Sequence, residues 1–158
     1  MKRIQIKEEY CIGCRLCTVH CIAAHGKYKN DLVRTFKRDQ DRPSPRIVIE
    51  QHGETCFALP CRQCSEAYCI CSCISGAMTR EPQSGLVRTD PQRCVGCWTC
   101  IAACPYGAVT REGKHMKIAA KCDLCGDEPA CVKHCPNEAL VYAEVEEEVD
   151  SHEACNHR

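Results

Sequence analysis

The chain has 158 residues, enough for one compact domain or two small fused modules. Aromatic residues make up only 5%, and 19 cysteines inflate the hydrophobic 44%, so an ordinary apolar core would be thin and bound metal or disulfides must help hold the fold. The 21 Lys and Arg balance 21 Asp and Glu, which excludes a global field drawing the chain onto nucleic acid or an anionic membrane and points to a protein partner. No stretch of ~18 apolar residues occurs, and MKRIQIKEEY has neither an apolar h-region nor a twin-Arg signal. The expectation is a cytoplasmic chain with no direct membrane span. In a reducing compartment, an odd number of cysteines reads as metal ligands rather than a disulfide framework.

In chain order, KRIQI alternates apolar and charged residues and predicts a strand. The first cysteine quartet follows: Cys11, Cys14, Cys17 and Cys21, in C-x2-C-x2-C-x3-C spacing, with CTVHCIAAH predicting a short helix. Residues 22 to 60 carry no quartet but gather Lys27, Lys29, Arg34, Lys37, Arg38, Arg42 and Arg46. The plain expectation there is a solvated connecting loop, interrupted by a strand at RIVIEQ; the sharper one is a basic docking surface for an acidic partner. Cys56, before FALP, reads as a buried packing cysteine.

The second quartet is Cys61, Cys64, Cys69 and Cys73, with Cys71 spare between the last two. The third, Cys94, Cys97, Cys100 and Cys104, repeats the first spacing and ends in Pro105. The fourth, Cys122, Cys125, Cys131 and Cys135, ends in Pro136. Short helices are expected in CIAACPYGAV and CVKHCPNEAL, and a last strand in ALVYAEVE. Trp98 is expected to pack as a water-excluding shell; His20 and His134, each beside a fourth cysteine, read as surface histidines rather than donors to sulfur. In the acidic C-terminal stretch, Cys155, His152 and His157 read as a frayed polar tail.

Three cysteines two residues apart let a tight loop wrap three corners of a cube, and the fourth falls on the next helical turn facing away. That is the bacterial ferredoxin run, in which the fourth cysteine ligates the neighbouring cluster, so that motifs work in pairs. Structural zinc prefers two C-x2-C knuckles a dozen or more residues apart, and these compressed quartets suit one tetrahedral ion poorly. Four complete quartets predict four [4Fe–4S] clusters and leave Cys56, Cys71 and Cys155 over.

From about Tyr10 to Ala143 these motifs resemble the four-cluster polyferredoxin subunits of anaerobic oxidoreductases, a family that includes the electron-transfer subunits of formate dehydrogenase, dimethyl sulfoxide reductase and membrane hydrogenase complexes. CISGAM, CVGCW, CPYGAV and KCDLCGDEPACVKHCPNEAL are most similar to polyferredoxins accompanying carbon monoxide dehydrogenase, and also to the small subunits of tungsten aldehyde oxidoreductases. The resemblance implies an α+β fold of two nested bacterial-ferredoxin-like dicluster modules with short hairpins and short helices. The outer module would comprise residues 1–52 and 110–158 and the inserted one residues 53–109. It also implies nested ligation: Cys11, Cys14, Cys17 with Cys135; Cys122, Cys125, Cys131 with Cys21; Cys61, Cys64, Cys69 with Cys104; and Cys94, Cys97, Cys100 with Cys73. Sequential pairing of neighbouring motifs is the alternative. The family usually has proline after each fourth cysteine; Ile22 and Ile74 stand there instead, which puts local geometry rather than ligation in question.

The function expected is one-electron relay by a non-catalytic subunit. It would connect a catalytic partner, carbon monoxide dehydrogenase first and a tungsten or molybdenum enzyme second, with a flavoprotein, hydrogenase or ferredoxin acceptor. A catalytic iron–sulfur enzyme would need an open cluster site, a GxGxxG turn or a P-loop, and none is present. A redox sensor or metal store is the remaining class.

Overall fold

A computed structural model describes residues 2–112 and 117–145. Among them the strands form two-stranded antiparallel ribbons, and the helices are short. β1 (Lys2–Ile6) pairs with β8 (Leu140–Glu144) in the register Ile4↔Tyr142 and Ile6↔Leu140. The alternation of KRIQI puts Ile4 inward against Leu140, so the two ends of the described chain close on each other. Both strands were expected. The stretch of ALVYAEVE beyond Val145, like Cys155, His152 and His157, lies outside the described residues.

α1 (Leu16–His25) runs ten residues, whereas α4 (Thr99–Ala102) and α5 (Ala130–Lys133) stop after four. The difference follows the residue after the fourth cysteine. Ile22 lets α1 continue past Cys21, while Pro105 and Pro136 cannot extend a helix and push the preceding cysteine out of helical conformation. α3 (Tyr68–Cys71) is equally short although Ile74, not proline, follows Cys73, so proline accounts for the contrast of α1 with α4 and α5 but does not alone set helix length.

The segment 22–60 is not the connecting loop that its charges suggested. It holds α2 (Leu32–Arg38), then β2 (Ile47–His52) and β3 (Thr55–Pro60), a hairpin whose turn passes through Gly53 at φ +61°. Asp31 accepts a hydrogen bond from the Arg34 N–H at 2.9 Å, capping α2, and Thr35 is wholly buried. Arg46 is not part of an exposed basic surface either: its guanidinium is held by Asp123 at 3.1 Å and Glu112 at 3.0 Å. Two three-residue hairpins complete the sheets, β4 (Met78–Arg80) with β5 (Val87–Thr89) and β6 (Thr110–Glu112) with β7 (Ile118–Ala120).

The buried residues fall into two groups. One joins Ile4, Ile47, Ala58, Leu86, Leu124 and Leu140 with Cys17, Cys21, Cys61, Cys122 and Cys131; the other joins Ala67, Met78, Val87, Val109 and Ala119 with Cys100. Cys104 packs against both. Thiols thus replace the large apolar side chains that the composition lacks.

Candidate metal centre

The four cysteine loops share one backbone device. The residue before each second cysteine is left-handed: Gly13 at φ +67°, Gln63 at +50°, Gly96 at +69° and Leu124 at +56°. This reversal curls each C-x-x-C turn so that its sulfurs converge on one side. At Gly13 and Gly96 a side chain is excluded by contact as well as by φ, because an added Cβ would lie 2.8 Å from the Cys56 Sγ and 2.7 Å from the Lys117 carbonyl oxygen. Cys56 is therefore a half-buried wall beside the first loop rather than a fully buried residue.

Around these loops the sixteen cysteines of the quartets gather in four groups. Cys11, Cys14, Cys17 and Cys135 line one pocket with Pro136, Ile49 and Leu140. Cys61, Cys64, Cys69 and Cys104 line a second with Pro105 and Lys121. The other two groups show in the fields that the thiols exert on one another. Burial, then Cys21 and Cys125, push the Cys131 thiol up to about 12. Burial, then chiefly Cys73, push Cys100 up to about 11. The first two groups thus each hold three cysteines of one motif and the last of another, and in the other two the last cysteine of one motif is again a near neighbour of another motif's thiols. Cys71 ends α3 at the surface and is disulfide-bonded, so its sulfur is engaged outside the four groups.

Backbone N–H groups point at the last cysteine of three motifs: Arg46 N to Cys21 Sγ at 3.2 Å, Met78 N to Cys73 Sγ at 3.4 Å, and Ala108 N to Cys104 Sγ at 3.4 Å. Such donors favour the thiolate form that metal binding requires. Convergent thiols and N–H groups aimed at sulfur fit an anionic iron–sulfur cluster.

Residues 54–145 match the model of the 4Fe-4S dicluster domain. The chain belongs to that family. Its curated relatives include the electron transport protein HydN of Escherichia coli, 36% identical over 56% of this chain and 47% of the relative. The thiosulfate reductase electron transfer subunit PhsB of Salmonella typhi is 35% identical over 57% and 45%, and the putative oxidoreductase AegA of Escherichia coli is 34% identical over 60% and 13%. The chain spans about half the length of the first two, and a small part of the third. A chain of the active site complex BamBC of benzoyl coenzyme A reductase superposes with a TM-score of 0.49 at 26% identity, covering 96% of this chain and 82% of that one; so loose a superposition carries no argument. Among the described residues no helix is long and apolar enough to cross a membrane.

Around the cysteines of this dicluster protein lie further side chains, of which His25, Asp123 and Gln63 carry no signal in the sequence. His25, reached only because α1 continues past Cys21, meets the Cys21 carbonyl at 2.8 Å through Nδ1 and Asp123 Oδ1 at 2.9 Å through Nε2. Burial opposes its charge, yet the bonds to Asp123 and Cys21 hold the imidazole up at about 10. Burial would raise Asp123, but His25 holds it well below the carboxylate range. His20 and His134 stack on each other, centroids 3.5 Å apart, with His134 exposed as expected. Trp98 packs against the buried group that contains Cys100, as do Cys69, Cys73, Cys94 and Cys104, and carries the Arg111 guanidinium 4.8 Å above its ring. Gln63 is wholly buried: its amide donates to the Cys122 carbonyl at 2.6 Å, and its Oε1 accepts from Val87 N at 2.9 Å and Lys121 Nζ at 3.4 Å. No sequence pattern announces the His25–Asp123 bond or the three bonds of the Gln63 side chain, whose partners lie 24 to 98 positions apart.

Proposed function

We propose that the chain is a four-cluster electron relay, serving as the electron-transfer subunit of an oxidoreductase complex. The single observation that carries this reading is the grouping of the cysteines three-plus-one, each fourth cysteine lying with another motif's three. It supports clusters on Cys11, Cys14, Cys17 and Cys135; on Cys122, Cys125, Cys131 and Cys21; on Cys61, Cys64, Cys69 and Cys104; and on Cys94, Cys97, Cys100 and Cys73. When bound, each cluster supplies a one-electron couple. The nested arrangement, residues 1–52 and 110–158 around 53–109, draws support from the pairing of β1 with β8.

The order of the groups also favours a wire. Cys17 of the first acts on Cys131 of the second, Cys61 of the third on Cys122 of the second, and Cys69 of the third on Cys100 of the fourth. The second cysteines of the two end groups, Cys14 and Cys97, are exposed, whereas Cys122 and Cys131 are buried. The chain's own residues would therefore hold two clusters inside and present one at each end to a partner. Carbon monoxide dehydrogenase is the catalytic partner proposed first, on the likeness of CISGAM and KCDLCGDEPACVKHCPNEAL; tungsten and molybdenum enzymes, from the same resemblance, stay in the test.

Iron and sulfide analysis of anaerobically purified protein should give about 16 of each, and about eight would refute four clusters. In the same preparation, Cys21→Ser should perturb the cluster of the fourth motif; a change confined to the second motif would favour sequential pairing. Co-purification from the native host then identifies the catalytic partner.

A further inference from the structure

Lys121 is 5% exposed, and its ammonium lies in the interior between the second and third groups. It lines the cavity of Cys61, Cys64, Cys69 and Cys104, while the next residue, Cys122, belongs to the neighbouring group. Its hydrogen bond goes to Gln63 Oε1, a neutral oxygen already taken by the Val87 N–H. No ion pair among the described residues includes it. A buried ammonium facing only an amide oxygen costs several kcal/mol, so such a group persists where an anion lies beside it. Among the described residues no carboxylate pairs with it; Asp123 and Glu112 are held by Arg46 instead. What the cavity does supply is four thiols.

We propose that Lys121 is a charge-compensating positioning residue for the third cluster, and that Gln63 fixes its ammonium at the junction of the two inner clusters. The inference rests on the four-cluster reading and goes beyond it by assigning a task to a residue that ligates nothing. Reduction adds one negative charge to the cluster, and a fixed cation in a low-dielectric interior stabilises the reduced form more than the oxidised one. Lys121 therefore raises the potential of this cluster relative to its neighbours. Gln63 supports the geometry from the other side. Its backbone N–H lies 3.5 Å from Cys61 Sγ, its amide holds the Cys122 carbonyl, and its Oε1 orients Lys121. One side chain thus ties the second motif's loop to the fourth's.

The test compares Lys121→Gln, which keeps a polar head without charge, with Lys121→Arg, which keeps the charge. Wild-type iron and sulfide are counted first, and the purified proteins are then titrated with dithionite, the one-electron donor, under electron paramagnetic resonance. The expected result is a tenfold or larger shift in the reduction equilibrium of one cluster in K121Q, about 59 mV downward, with K121R following wild type. Selective loss of that one cluster in K121Q, with K121R intact, carries the same meaning. Equal behaviour of the two variants, whether both unchanged or both defective, overturns the charge role while leaving a 16-iron count and the relay standing. A wild-type count near eight overturns the relay and this inference together.

Discussion

The loops of the first and third motifs differ from those of the second and fourth at one position, and the difference separates the surface of the molecule from its interior. Gly13 and Gly96 hold the left-handed position in the first pair, and the cysteines after them, Cys14 and Cys97, are exposed. Gln63 and Leu124 hold it in the second pair, and both side chains are fully buried. The same backbone reversal is thus obtained in two ways. At the ends, glycine takes the left-handed conformation freely and leaves room for close approach. In the middle, a residue with a side chain accepts a left-handed cost of about 1 kcal/mol because its side chain fills the junction. Leu124 packs among Ile4, Ile47, Leu140 and the inner cysteines, and Gln63 satisfies three polar neighbours at once.

The comparison is broken most severely at Leu124. Leu124→Ala keeps the backbone requirement and removes the plug, so it should destabilise the cluster-loaded protein by about 2–5 kcal/mol, read as a lowered denaturation midpoint. A loss below about 1 kcal/mol would mean that the junction is not a packed core. Gly96→Ala should cost less, about 1–2 kcal/mol of left-handed strain with some relief as the Lys117 carbonyl shifts. At Gly13 the obstacle is a side chain, so Cys56→Ala should recover part of the loss caused by Gly13→Ala. A coupling energy of about 0.5 kcal/mol or more in that double-mutant cycle is expected, and strict additivity would show that Cys56 does not wall the loop.

Legibility in the sequence followed the range of the interaction. The quartets were legible because cluster-type spacing is local, and β1, β2 and β8 because alternation over five or six residues is enough to see. α2 was hidden inside a run of charges. Its anchors are a single capping aspartate and one buried threonine, with Val33 and Phe36 left exposed, so no apolar stripe marks it. Strands β4 to β7 have three residues each, too few for a period to register. Nothing in the sequence marks Lys121 as interior, because what removes it from water is the packing of segments far apart in the chain. Arg46 misled in the same way: the basic run that suggested a docking surface contributes one of its members to an interior network with Asp123 and Glu112.

The smallest expected effect on stability is also the sharpest probe of what the two end loops are for. Ile12 follows Cys11 and Val95 follows Cys94; both are more than 60% exposed, and Ile74, after Cys73, is similarly bare. Exposed apolar residues beside an exposed cluster loop contribute little to folding, so Ile12→Asp or Val95→Asp should change stability by no more than about 0.5 kcal/mol. If these loops are where electrons enter and leave, the same substitutions bury an unpaired charge at the docked interface, costing about 1–2 kcal/mol of association. That corresponds to roughly a 5- to 30-fold weaker complex. Measured against the co-purified catalytic partner, each variant should weaken docking at its own end only. Because the loops sit at opposite ends of the proposed wire, Ile12→Asp and Val95→Asp should affect different partners, one the electron donor and the other the acceptor. Equal binding by wild type and both variants would move the docking surface away from the glycine loops and leave their exposure without a functional account.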